Sequence, residues 1–459
     1  MKVFFLFIII ISLVGCQRTK TTLPDSKKIN IPEKFSYSGS LKVDMQWWKV
    51  FKSSELTRLI ETALKNAPDM KIMSARLKTS IAIAKKAGAT RFPSVDASGK
   101  SGLTGIYTVP DKTSGQFTMS LDISVSYELD IWGRAASQRK SAEMDVLTVK
   151  YDMMGSAMTL AGEIAGCWFR MVSINRRMEI LKKQYKTSST YHESQKIKFD
   201  SGLLETLDLL QQKQNLASIQ AIMTSAEVEM ETEKNRLAVL MGVLPTELKL
   251  KIPLVLEPLP ELPHMGVPLQ VVSRRPDVLK AWYEMLSADA SVAHAVADAF
   301  PKISLTLSAG TRAEKIRDML KSWLVNLLLN VTAPVWRGGE LKAEIERAKA
   351  VFEEKTVRWQ QAVISSVIDI ETILAKEKLQ KKYIESIREQ IELSKKFIGD
   401  IEYRYKQGIT DFSIYLNAVN YLLGLELNLV KARVELYILR TGLLKAIAGP
   451  PEKNKDKDK

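Results

Sequence analysis

Three His (His192, His264, His294) and two Cys (Cys16, Cys167) are all the imidazole and thiol chemistry in a chain of 459 residues. They cannot assemble a Cys/His zinc site, and they leave few candidates for a His-based acid–base or nucleophilic centre. Gly99-Lys100-Ser101 has the ending of a phosphate-binding loop, but Ser94 stands where the first Gly is required and the strand–turn context is wrong. The 17 Met, among them Met153, Met154 and Met158, could suggest soft-metal handling, yet Met at helix-seam spacing is core filler. The expected catalytic, metal and cofactor inventory is none. Cys167 is expected to be a buried small apolar residue.

Cys16 is the residue with chemistry ahead of it. Lys2 supplies a positive start, residues 3–14 form an apolar run too short for a comfortable bilayer span, and Leu13-Val14-Gly15-Cys16 closes it. That ending resembles the bacterial lipobox, in which a leader is cut before a Cys that then carries lipid such as palmitate. An ordinary secretory leader with an incidental Cys is the alternative. Gln17 stands where an Asp would retain such a lipoprotein at the inner membrane. Export makes nucleic acid an improbable partner, in spite of 67 Lys+Arg against 52 Asp+Glu and a charge of +15. The excess is spread through the body, since the tail from Glu452 to Lys459 holds four Lys against three acids. With 46% hydrophobic and 26% charged residues, the composition also argues against a polytopic helical membrane protein.

The chain is duplicated. Pro68-Asp69 recurs as Pro276-Asp277, Phe92-Pro93 as Phe300-Pro301 and Gly102 as Gly310, all offset by 208, while Phe199-x-x-Gly202 matches Tyr405-x-x-Gly408 at 206. Each half reads helix, strand, strand, very long helix, turn, helix. The first helix is expected from about Ser54, as N-cap, to Arg91. Between Gly133 and Gly202 no Pro interrupts about seventy residues, on the order of 100 Å of helix, and Met144 to Val172 carries a coiled-coil seam through Met154, Met158, Ala161, Ala165 and Trp168. The expected organisation is a leader at 1–15, a lipidated linker at 16–53, a first half at 54–249, a Pro-rich linker at 250–273, a second half at 274–449 and a charged tail at 450–459. Long hairpins are placed at 133–240 and 338–448.

Before each long helix the period changes to two. Phe117, Met119, Leu121, Ile123, Val125, Tyr127 and Leu129 alternate with Thr118, Ser120, Asp122, Ser124, Ser126 and Glu128. Strands are expected at about 94–107, 117–130, 301–312 and 323–334, the first alternating poorly. Half-buried strands of a soluble sheet would look the same. Export, a lipid tether and four strands long enough to cross a bilayer favour a membrane β-barrel, and four strands cannot close one. The chain must then oligomerise, n copies giving 4n strands.

The ordered set Trp47-Trp48-x-x-Phe51, Leu59-Ile60-x-x-Ala63-Leu64, Tyr127-Glu128-Leu129-Asp130-Ile131-Trp132-Gly133-Arg134, Arg274-Arg275-Pro276-Asp277 and Ala333-Pro334-Val335-Trp336-x-Gly338-Gly339 resembles the TolC-type outer-membrane efflux proteins, in their lipid-anchored OprM/NodT branch. The resemblance runs from Cys16 to about Gly449. It implies a mainly α fold with a membrane β-barrel: a homotrimer with a twelve-stranded barrel in outer-membrane lipid and a twelve-helix periplasmic tube. It further implies a passive exit duct for drugs or other small toxic compounds, docked to a periplasmic adaptor and an inner-membrane pump, and no enzyme. Ser120, Asp122, Ser124, Ser126, Asn326 and Asn330 would line the lumen. Gly202, Leu203, Gly408 and Ile409 would mark the adaptor-docking tips, and Asp208, Asp411, Ile414 and Asn417 are candidates for a pore constriction. Ile414 and Asn417 stand where the best-known member carries gating Asp residues. Trp47, Trp48, Trp132 and Trp336 are expected to pack the junction between barrel and helices. An outlet for type I protein secretion and a lipid-tethered scaffold without a pore are the alternative readings.

Overall fold

The computed structural model describes residues 32–41, 43–108, 112–202 and 205–449. The expected leader, Cys16 and the tail at 450–459 lie outside them. In chain order the elements are α1 (Ser54–Asn66), α2 (Pro68–Ala89), β1 (Ser94–Thr108), β2 (Lys112–Leu129), α3 (Arg134–Asp200), α4 (Thr206–Met241), α5 (Pro268–Val272), α6 (Pro276–Asp298), β3 (Lys302–Ala313), β4 (Leu324–Thr332), α7 (Glu340–Lys406) and α8 (Phe412–Ile447). The duplication is visible in lengths: α3 and α7 have 67 residues each, α4 and α8 have 36 each. Two compact units divide the chain, one holding 76–150 and 280–361, the other holding the remaining described residues.

In the strand unit, four antiparallel strands pair in the order β1-β2-β3-β4. β2 starts at Lys112, five residues before the alternation does, because backbone pairing with β1 continues from Leu103↔Phe117 to Thr108↔Lys112 where side-chain patterning has stopped. β4 is shorter than expected, and Pro334 beyond its end has no N–H to extend a ladder. The joint from β2 into α3 is built by the Tyr127–Arg134 motif. The Asp130 carboxylate accepts from the amides of Ala135 (2.9 Å) and Ala136 (2.8 Å), which satisfies two free donors at the helix start. Arg134 donates through Nη2 to both oxygens of Glu128 at 2.8 Å. Trp132 stacks on Phe300 at 4.9 Å and donates to the Pro301 carbonyl at 2.7 Å. Trp336, its repeat counterpart, is 86% exposed and packs no joint in the single chain.

The helical unit corrects two expectations. The helix expected over 54–91 is two, because Pro68 pushes Ala67 into extended backbone (ψ 138) and cannot donate to the turn before it. Its N-cap is Ser53, whose hydroxyl accepts from Leu56 N at 3.3 Å. Leu56, Leu59, Ile60 and Ala63, on one face of α1, are fully buried. They share a core with Trp47, Trp48 and Phe51, with Ile164, Trp168, Phe169 and Met171 of α3, and with Leu237 and Met241 of α4. The second correction follows: Trp47 and Trp48 belong to this helical core, which contains no strand residue. Cys167 is buried here, and burial first, then the Glu233 carboxylate, push its thiol up to about 11. The seam expected along α3 is also too narrow a description, since Ile164 to Ile174 is buried on nearly every side.

Ion pairs fasten the hairpins. Arg170 donates to Glu233 at 2.6 Å between α3 and α4, and Arg177, two turns further along α3, donates to Glu229. Between α7 and α8, Arg440 is buried against Glu377, with Nε to Oε2 at 2.9 Å and Nη2 to Oε1 at 2.5 Å. Its Nη1 donates to the Pro260 carbonyl of the linker, and Lys381 adds a contact to Glu377 at 3.0 Å. The linker in turn pairs with the N-terminal segment through Gly39 N to Pro263 O (2.9 Å) and His264 N to Leu41 O (2.8 Å).

Burial alone would lift the Glu377 carboxyl, and its bonds to Arg440 and Lys381 outweigh burial to hold it below the usual range. Its contribution is full at neutral pH and lost as pH falls through that depressed value. Glu377→Gln strands a buried guanidinium and is expected to destabilise the fold by about 3–5 kcal/mol, read as a lowered guanidinium midpoint in far-UV circular dichroism. Glu377→Leu with Arg440→Met is expected to cost much less than either single change.

Candidate functional site: the two-faced sheet and the hairpin tips

Register sorts the sheet into two chemical faces. One face carries Val95, Leu103, Phe117, Leu121, Ile123, Leu305, Leu307, Leu327, Leu329 and Val331, and every one of them is exposed in the single chain. Ser120, Asp122, Ser124 and Ser126 of β2 lie on the other face, together with Asn326 and Asn330 of β4, which pair with Ser308 and Ser304. The six lumen candidates therefore share one surface. Ser126 and Thr306 hydroxyls lie 3.4 Å apart across β2 and β3 on it. Gly310 faces Asp122, and a Cβ there would sit 2.1 Å from Asp122 Oδ1, so the carboxylate occupies the space a side chain would need.

Two cations on this face are not apparent from periodicity alone. Lys100 pairs with Ser120 from β1, and Arg312 pairs with the same Ser120 from β3. Strand spacing sets their Cα atoms about 10 Å apart in one row, next to the Asp122 row. Lys302 is also on this face but is neutralised by Asp298 at 2.8 Å. Finding the row requires the β1–β2 turn to be placed, which alternation does not supply.

The tips of the two hairpins lie in the helical unit. Gly202 and Gly408 adopt φ of +71 and +70, the left-handed conformation that ends a helix at little cost only for Gly. At the second tip Gly408 N donates to Tyr405 O and Ile409 N to Arg404 O, both at 2.9 Å, which satisfies two terminal carbonyls of α7. Ile409 is exposed. Leu203 lies outside the described residues. An aromatic cluster, absent from the expectations, sits behind the turns: Tyr191 of α3 stacks on Phe412 at 5.3 Å, and Tyr405 lies parallel to Tyr415 at 6.1 Å. Burial pushes the Tyr191 phenol well above its usual value, and the Tyr405 phenol adds to the effect. Its four residues come from three helices, so only their spatial meeting reveals it.

Asp208, in the first turn of α4, and Asp411, the N-cap residue of α8, are brought together. Burial, then the charges of Glu205 and Asp411, raise the Asp208 carboxyl above the usual range. Ile414 and Asn417 are exposed on α8. Among the described residues, no group of three or more His, Cys, Asp or Glu could hold a metal ion. His294 sits at the β2–α3 joint with Nδ1 3.0 Å from the Arg134 carbonyl.

A raised Asp208 binds its proton more tightly in the folded than in the unfolded chain, so its charge opposes folding at neutral pH and this opposition fades as pH falls through the raised value. Asp208→Asn is expected to be more stable than the parent at neutral pH. The difference should vanish once Asp208 is protonated in both states, as measured by denaturant midpoints across the acid range.

Comparison with known proteins agrees with this construction. The family model described as outer membrane efflux protein matches residues 59–243 and 267–449. The chain is 27% identical over 453 residues to the pyoverdine export outer membrane protein OpmQ of Pseudomonas putida, covering 93% of this chain and 94% of that one. It is 21% identical to toxin and drug export protein A of Aggregatibacter actinomycetemcomitans over 98% of each. Among solved structures, the outer-membrane channel OprN superposes with a TM-score of 0.85 at 22% identity, over 93% of this chain and 98% of that one. CusC gives 0.85 at 18%, over 93% and 99%. With four strands and two long hairpins in the order of a duplicated unit, this chain belongs to the outer membrane efflux protein family.

Proposed function

We propose that three copies of this chain close a twelve-stranded barrel in the outer membrane, continued by a twelve-helix tube, as the passive exit duct of a tripartite system that expels small toxic compounds. The observation that carries this reading is the sheet with one exposed apolar face, one polar face and two edges that are unpaired among the described residues. Apolar side chains suit lipid, and the Ser, Asn and charged side chains opposite suit a water-filled lumen. No helix among the described residues is long and apolar enough to cross a membrane. The duct supplies no energy, so an inner-membrane pump and a periplasmic adaptor complete the system. Gly202, Leu203, Gly408 and Ile409 mark the adaptor-docking tips, and Asp208, Asp411, Ile414 and Asn417 narrow the pore. A covalent lipid on Cys16 tethers each chain to the membrane, and three anchors hold far more firmly than one. The family-level match and the export role in the names of the two relatives support the same reading.

Leu307 and Ser308 are neighbours on opposite faces of β3. Leu307→Arg would place a charge in lipid at a cost of roughly 2–4 kcal/mol per chain near the midplane, and is expected to abolish insertion and conductance in planar bilayers. Ser308→Arg is expected to insert normally and alter single-channel conductance. Equal behaviour of the two variants, or a purified wild-type oligomer that never conducts, would refute the duct. Cys16→Ser is expected to abolish incorporation of radiolabelled palmitate and to release the chain from membranes more readily.

A further inference from the structure

Within the helical unit, a recess of about 420 Å³ opens between α7 and α8 beside the Pro-rich linker. That volume is within the range of small-molecule sites. Its α7 wall is a single face of the helix, with Lys381, Ile384, Glu385 and Arg388 at spacings of three and four, and α8 presents Arg433, Leu436 and Tyr437 in the same way. Leu259 of the linker closes one side.

The charges in this recess do not balance. Lys381 leans on Glu377, but that carboxylate is already held by two nitrogens of Arg440. The Tyr437 hydroxyl is spent on the Glu257 carbonyl at 2.5 Å, and the nearby Arg176 is paired with Glu179. Among the described residues neither Arg388 nor Arg433 has an ion-pair or hydrogen-bond partner. The two guanidinium groups nevertheless stand close enough to repel: burial, then Arg388 and more weakly Arg176, push Arg433 below its usual value. Glu385 is the one carboxylate on the wall that is not committed elsewhere. Both side chains are exposed at the recess, and two neighbouring cations without a carboxylate partner make a local positive potential that attracts an anion.

We propose that this recess is a binding site for an oxyanion, a phosphate or carboxylate carried on a small molecule with a short apolar part. Arg388 and Arg433 offer planar donor pairs that match such a group, and Lys381 adds charge. Leu259, Ile384 and Leu436 provide apolar surface for whatever the anion is attached to. None of these residues belongs to the sheet face or the tips.

The test uses isothermal titration of the full-length detergent-solubilised protein at low ionic strength with three probes: inorganic phosphate, hexyl phosphate and hexanoate. Hexyl phosphate is expected to bind more tightly than inorganic phosphate, and hexanoate to separate carboxylate from phosphate preference. Arg388→Gln with Arg433→Gln should weaken binding by about tenfold or more, as for loss of hydrogen bonds to a charged group. Arg433→Lys, which keeps the charge but loses the planar donor pair, should weaken binding by less than the double change. Lys349→Gln with Lys396→Gln, which removes the same charge from exposed positions on α7, should leave affinity unchanged. Absence of binding for all three probes would overturn the proposal. So would affinity unaffected by the double arginine change, or an equal loss in the lysine control, which would reduce the effect to bulk charge.

Discussion

Backbone hydrogen bonding at the edges of the four-stranded sheet is the constraint on which the rest of the structure depends. β1 and β4 each present a row of amide and carbonyl groups with no strand partner among the described residues, and hydrocarbon supplies none. An apolar face that asks for lipid and an open edge that forbids it are compatible only when edges meet edges. Oligomerisation is thus a requirement of the membrane reading, and the chain's charge distribution fits it. Polar residues are gathered on one face, where three copies would turn them toward a common interior.

The long hairpins follow from the same unit used twice. Each strand pair runs into a 67-residue helix followed by one of 36 residues, so the two hairpins match in length. The halves are not identical in detail. The first is fixed to its strands by Asp130, Trp132 and Arg134, while the second exposes Trp336 and Val335 at the corresponding place. A surface with large apolar residues bare in the single chain is complete only in an assembly.

How much of this could be read from residues alone depends on the range of the interaction. Strand alternation, Pro-free helical stretches and turn glycines are local, and they placed both hairpins, all four strands and the shared face of the six lumen candidates. The break at Ala67–Pro68 is equally local, since Pro68 stands inside the helix expected from Ser54 to Arg91. The Lys100–Ser120–Arg312 row needs strand register, which alternation constrains only to a face. Trp47 and Trp48 share their core with the adjacent α1 and with α3, which lies more than a hundred residues away and gives no local sign of the contact. Arg440 and Glu377, 63 residues apart, meet only once α7 and α8 fold back on each other, and the tip cluster also needs Tyr191 from the other hairpin.

Edge closure is the claim that everything else presupposes, and cysteine cross-linking between edges measures it directly. Single cysteines introduced along β1 and along β4 in a Cys167→Ser background, oxidised in native membranes and resolved on denaturing gels, should give covalent dimers and trimers for one register of pairs that recurs along the strands. Cross-links confined to single chains, or none at any register in membranes that contain the folded protein, would contradict a barrel closed by neighbouring copies.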